Sequence, residues 1–162
     1  MNSRPMSALA TGGRIVPQDW VDYNGHIMDA YYGVAFTEAT EAFLDHLGLG
    51  AAYRAESGCG MYTVESHICF VRSVRGGTAL RYETQLLGWD DKRLHVFHQM
   101  AEQDGGGQVA TNELMLLHVD LATERVTPMS PARSHAARLM ASAQAALPPP
   151  RNAGRRIRMP GR

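Results

Sequence analysis

The sequence predicts an α+β protein in which an antiparallel β-sheet wraps around one long central α-helix. Three observations carry this. Apolar residues recur at three- and four-residue steps from about Met28 to Leu47, the stripe of a helix with one buried face. After that helix the period changes to two and stays so through four segments. These segments follow one another through turns rather than alternating with helices, which argues against the βαβ order of a parallel sheet.

Taken in order, residues 1–13 read as a flexible leader and residues 14–147 as the folded domain. "RIVPQDWVDYNG" reads as a short strand running into a turn, with Pro17 at a strand edge and Asn24-Gly25 as the turn signal. The helix follows. Tyr32, Phe36, Ala39, Phe43 and Leu47 form its stripe, while Glu38, Glu41 and Asp45 fall mostly off it. Asp29 fits a cap or first-turn position, where a negative charge complements the helix dipole. Gly48 and Gly50 supply the stop.

"MYTVESHICFV" then alternates Tyr62, Val64, Ser66, Ile68 and Phe70 against Thr63, Glu65, His67, Cys69 and Val71. "ALRYETQLLGWD", "RLHVFHQMAE" and "QVATNELMLLHVD" continue the pattern, with turns at Asp90-Asp91 and at Asp104-Gly105-Gly106-Gly107, so the four strands read as one meander. "SPARSHAARLMASAQAAL" reads as a short C-terminal helix. Wrapping a sheet around one helix leaves edge strands to cover, and pairing with a second copy would cover them. A homo-oligomer, dimer or tetramer, is therefore expected.

Composition narrows the class. With 162 residues, 44% hydrophobic and 20% charged, the chain has the make-up of a soluble single domain. No apolar run approaches the roughly 18 residues of a membrane span. No apolar core of a signal peptide is visible in "MNSRPMSALATGGR". A cytoplasmic protein without membrane partners is expected. Cys59 and Cys69 form no CxxC pair, and His95 and His98, three apart in a strand, point to opposite faces, so no metal site is expected. The net charge is zero but uneven. Residues 148–162, "PPPRNAGRRIRMPGR", hold five arginines and no acid, which leaves 11 basic against 16 acidic residues before them. That composition reads as a basic disordered tail. It is either solvated or a contact for an acidic partner or a ligand phosphate; nucleic acid is the weaker expectation.

The most concentrated chemistry lies in "VDYNGHIMD", residues 21–29, just before the helix. By itself a loop Asp such as Asp22 is most often a turn or cap residue. However, "DYNGH" before the long helix, followed by "VESHICF", "LLGWDDKRLHVFHQM" and "ATNELMLLHVD", resembles the hotdog-fold acyl-CoA thioesterases. Within them it resembles the 4-hydroxybenzoyl-CoA thioesterase branch and, more closely, the betainyl-CoA thioesterases. The resemblance spans roughly residues 14–131.

It implies an acyl-CoA substrate, no cofactor beyond the CoA of the substrate, and Asp22 as nucleophile or as general base on water. Helix-start N–H groups around Met28 and Asp29 would then form the oxyanion hole. Gly25 would let the backbone approach the substrate closely. His26 would orient water or Asp22, or simply close the turn. Asp29 is a helix-start acid or a counter-charge for a cationic acyl group. Met28 stands where related sequences commonly carry Asn. Glu65 is either a solvated strand residue or part of the substrate tunnel. Trp20, Tyr23, Tyr31 and Trp89 are core or interface aromatics, or a cage for the trimethylammonium of a betainyl group. The expected function is hydrolysis of a short acyl-CoA, betainyl-CoA foremost. The alternatives are a thioesterase for another small or aromatic acyl-CoA and a non-catalytic acyl-CoA-binding protein.

Overall fold

The computed structural model describes residues 8–159. Strand β1 (Leu9–Ile15) leads through a 3₁₀ turn (Gln18–Trp20) to helix α1 (Asp29–His46) and a short helix α2 (Ala51–Ser57). Strands β2 (Cys59–Phe70), β3 (Ala79–Trp89), β4 (Arg93–Glu102), β5 (Gln108–Asp120) and β6 (Arg125–Val126) follow, and helix α3 (Pro131–Gln144) comes last. Residues 1–7 of the expected leader lie outside the described residues. Residues 9–13 of it are strand, not leader: β1 pairs antiparallel with β3 from Leu9 opposite Thr84 to Ile15 opposite Ala79. The Gly12-Gly13 pair that makes this stretch look loose serves an irregularity in the ladder between Ala10 and Gly13. Gly12 sits at φ +108°, and a Cβ on Gly13 would strike the Leu80 carbonyl.

The sheet runs β1-β3-β4-β5-β2, with β6 added to β5. The expected meander holds for β3, β4 and β5. β2 departs from it, pairing with β5 along nearly its whole length and forming the far edge of the sheet. The connection 71–78 is too long for a hairpin and spans the distance to β3. On the way it is tied to the chain before α1: Ile27 N–H donates to the Val74 carbonyl (3.0 Å) and Val16 N–H to that of Thr78 (2.9 Å). The start of the central helix and the end of β2 are thereby brought side by side.

The apolar stripe of α1 packs against the inner face of the sheet in two halves. Tyr32, Phe36 and Ala39 join Val16, Trp20, Leu80, Tyr82 and Met100. Phe43, Leu44 and Leu47 join Leu86, Leu94, Leu114, Leu116 and Met140. Between the halves lies a buried polar relay. The Thr11 hydroxyl bonds that of Thr84 (2.8 Å), Thr84 bonds Nδ1 of His98 (2.7 Å), and Nε2 of His98 bonds Thr40 (2.9 Å). Thr40 in turn donates to the Phe36 carbonyl (2.9 Å). His98 is completely buried, and burial pushes its pKa down to about 3, so the ring is neutral.

α3 begins with Ser130 at its cap and Pro131 at the first position, where the missing N–H is no loss. Gln144 near its end completes the sheet. β3 runs on past the start of β1, and the Gln144 side chain pairs with the exposed edge: Leu86 N–H donates to its Oε1 (2.8 Å), and its Nε2 donates to the Thr84 carbonyl (3.1 Å). Beyond α3, residues 148–154 of the expected tail are not free, residues 155–159 are exposed, and residues 160–162 lie outside the described residues. The chain is laid across the outer face of the sheet, where Asn152 donates to the Thr111 hydroxyl (3.4 Å) and Gly154 N–H to the Glu113 carboxylate (2.6 Å).

Candidate functional site

The loop before α1 is a miniature hairpin. Val21 and Ile27 pair across it, and Asp22 N–H donates to the His26 carbonyl (2.9 Å). Gly25 N–H donates to the Asp22 carbonyl (2.9 Å), closing a β-turn whose last residue, Gly25, sits at φ +77°. Asp22 holds the turn with its side chain as well. Its Oδ1 accepts from the backbone N–H of Asn24 (2.8 Å) and of His26 (3.2 Å). Partial loss of hydration works to raise its pKa. The two backbone donors, the Asn24 amide and the nearby His26 ring outweigh that and hold the carboxyl below the usual range. Asp22 is therefore ionised at neutral pH, and its Oδ2 has only the long Asn24 amide contact at 3.5 Å.

The helix start corrects one expectation. The N–H of Met28, the residue before the helix, is not available to a substrate, because it donates to the Trp20 carbonyl (2.9 Å). Tyr31 N–H is turned back onto the Met28 carbonyl (3.0 Å). The N–H groups of Asp29 and Ala30 remain without a partner among the described residues, as the geometry of a helix start requires. Beside them lies a pocket of ≈ 170 Å³ walled by Ile27, Asp29, Tyr32, Phe70, Arg72 and their neighbours. Tyr32 and Phe70 meet edge to face, ring centroids 5.1 Å apart. Burial pushes the Tyr32 phenol above its usual range. Arg72 is paired with Glu102 at 2.9 Å, whereas Asp29 forms no ion pair among the described residues, so Asp29 carries the uncompensated charge of this pocket. The sequence pattern marks Tyr32 only as a stripe residue and Phe70 only as a strand residue; that they share a pocket depends on the 71–78 crossing.

The aromatic cage expected from Trp20, Tyr23, Tyr31 and Trp89 is not assembled within the chain. Tyr31 stacks on Trp20 (4.9 Å, 14°), and the Arg14 guanidinium lies over the same indole at 4.1 Å, so the ring surface of Trp20 is already used. Tyr23 is at the loop tip and 96% exposed. Trp89 ends β3 opposite Leu94, which packs with Phe43 and Leu47 at the other end of α1. Glu65 is also kept apart. A bulge between Thr63 and Glu65 shifts the phase of β2, placing Tyr62 and Glu65 on one face and Phe70 on the other. Glu65 lines a separate outer pocket of ≈ 230 Å³ with His67, His95, Glu113 and Arg155. Gly25 serves the turn, and a Cβ there would lie 3.6 Å from Arg75. No group of three or more His, Cys, Asp or Glu that could hold a metal occurs among the described residues. No helix among them is long and apolar enough to cross a membrane.

Comparison with known proteins agrees with this architecture. The family model of the thioesterase-like superfamily matches residues 16–141. A betainyl-CoA thioesterase of Pseudomonas aeruginosa is 41% identical over 94% of this chain and 96% of its own length. An L-carnitine dehydrogenase/betainyl-CoA thioesterase of Agrobacterium fabrum is 47% identical over 86% of the chain, which matches 28% of that longer protein. Among solved structures, a candidate thioesterase of Pseudomonas putida KT2440 superposes with a TM-score of 0.84 at 37% identity, covering 96% of this chain and 99% of the other. A Staphylococcus aureus protein in complex with CoA, at 24% identity, shares the fold with a TM-score of 0.86 over 98% and 100% of the two chains. The helix wrapped by an antiparallel sheet, the match over most of the domain and the identity to whole-length relatives place the chain in the thioesterase-like superfamily of hotdog-fold proteins.

Proposed function

We propose that the protein hydrolyses a short acyl-CoA, betainyl-CoA foremost, to the free acid and CoA. The observation that carries this is the pocket at the start of α1. It is walled by Asp29, whose helix-start N–H is unpartnered and whose carboxylate is uncompensated, and by two aromatic side chains; the unpartnered N–H of Ala30 is next in the chain, and the loop that holds an ionised Asp22 comes just before. The N–H groups of Asp29 and Ala30 suit the oxyanion that forms when a thioester carbonyl is attacked. Either Asp22 attacks the carbonyl, thiolate leaves and water then hydrolyses the acyl-Asp22 anhydride to the free acid and the carboxylate, or Asp22 takes a proton from a water that attacks the carbonyl and the tetrahedral intermediate expels thiolate; neither course requires a metal or added cofactor. Asp29, Tyr32 and Phe70 suit a small quaternary ammonium, which aromatic faces and a carboxylate attract together. The acyl groups named for the P. aeruginosa and A. fabrum relatives point to the same cation. The chain works as a homo-oligomer in a reducing cytoplasm, built on the free edge of β2.

Thiol release from a panel of acyl-CoAs tests this. Asp22→Asn keeps the acceptor that holds the turn and removes the charge. It lowers turnover on the order of 10²-fold or more, with the fold intact by circular dichroism. Asp29→Asn raises KM for betainyl-CoA by about tenfold and leaves KM for an uncharged acyl-CoA of similar size within about twofold. Release of no thiol from any member by the wild-type protein would refute the assignment.

A further inference from the structure

The C-terminal arginines lie around a second, larger cleft. After α3 the chain is pinned to the outer face of β3, where the Gln85 side chain donates to the Pro148 carbonyl (3.5 Å). It is then pinned to β5 by Asn152 and Gly154. The strap thus positioned leaves a cleft of ≈ 760 Å³ between residues 151–158 and the last four residues of β2. Arg151, Arg155, Arg156 and Arg158 line it. None of the four forms an ion pair among the described residues, and no carboxylate lines the cleft. Arg155 also borders the neighbouring pocket of Glu65 and Glu113, but four guanidinium groups around one concavity, none held in an ion pair among the described residues, mark a polyanion site. Phe70 belongs to both cavities: it walls the pocket at the start of α1 and the arginine cleft.

We propose that this cleft binds the phosphorylated nucleotide end of coenzyme A, with the pantetheine arm passing Phe70 to reach the acyl pocket. The proposal rests on the thioesterase function above. The 3′-phosphate and the pyrophosphate together carry roughly four negative charges, which matches the four guanidinium groups. The volume suits a nucleotide-sized ligand. An extended nucleic acid fits less well. Only Phe70 and the smaller His67 ring offer a face for base stacking, too few for successive bases, and the rest of the chain, with 11 basic and 16 acidic residues, repels a long polyanion.

Two measurements on the full chain test this. The first is calorimetric titration with adenosine 3′,5′-bisphosphate, which needs no turnover. The second is the ratio of kcat/KM for an acyl-CoA to that for the same acyl group on N-acetylcysteamine, which lacks the nucleotide. The doubly substituted Arg155→Ala/Arg156→Ala chain changes only exposed side chains, so folding is not at risk. It should bind the bisphosphate at least about tenfold more weakly and lower the ratio by a similar factor, a loss of ~1.4 kcal/mol or more. Bisphosphate binding by a chain that hydrolyses no thioester would uphold the cleft and refute the thioesterase function. An unaltered ratio in the substituted chain, or an oligonucleotide that binds as tightly as the bisphosphate, would overturn the cleft and leave the thioesterase function standing.

Discussion

Asp22 has two duties that are usually read as rivals. It shapes the turn through Oδ1 and leaves a charged Oδ2 with only one long contact. The two separate by substitution: Asp22→Ala should lose the turn and the activity together, while Asp22→Asn loses the charge alone. His98 shows what burial does to a titratable group with no part in the site. Its folded pKa, about 3, lies well below the unfolded value near 6.5. The unfolded chain therefore binds a proton that the folded chain refuses, and stability is lost as pH falls below about 6.5. The expected slope approaches about 1.4 kcal/mol per pH unit between those limits. Urea denaturation at pH 7 and pH 5 reads it directly. His98→Gln should flatten the dependence, and an unchanged slope in that variant would assign it to other groups.

At the scale of elements, unpaired strand edges decide much of the design. Leu86 N–H and the Thr84 carbonyl on β3 have no strand to meet, and a helix side chain, Gln144, serves in place of one. Gln144→Leu preserves bulk and leaves both groups buried without partners. The expected loss is about 1–3 kcal/mol, a fall in Tm of several degrees for a domain of this size, measured by thermal unfolding. A Tm within one degree of wild type would mean that water serves these groups equally well. The helix α2 illustrates an element that sequence patterns miss: it buries no residue, so "AAYRAES" has no apolar stripe to reveal it.

At the scale of the molecule, the free edge of β2 bears on assembly. Tyr62, Val64 and Phe70 along it are 43%, 55% and 52% exposed, an unusual amount of apolar side chain for a strand whose backbone is also unpaired on one side. The expected outcome is a dimer or larger assembly of the wild type by light scattering. Val64→Lys, which places a charge on the edge, should shift it toward monomer with the domain still folded. A monomeric wild type at micromolar concentration would remove the edge as an interface.

Periodicity determined the long helix and the four long strands of this protein. A 3.6-residue stripe made α1 legible, alternation made β2 to β5 legible, and Asn24-Gly25 marked the turn, because each reflects local geometry repeated along the chain. The order of segments around "DYNGH" made the family legible. The partner of each strand was not written locally. β2 joins β5, β1 reaches back to Leu9, and a bulge reverses half of β2, since pairing depends on contacts distant in sequence. For the same reason the tertiary structure alone engaged the Met28 N–H, occupied the Trp20 ring, separated Trp89 and Glu65 from the helix start, and drew Phe70, Tyr32 and Asp29 together at one pocket.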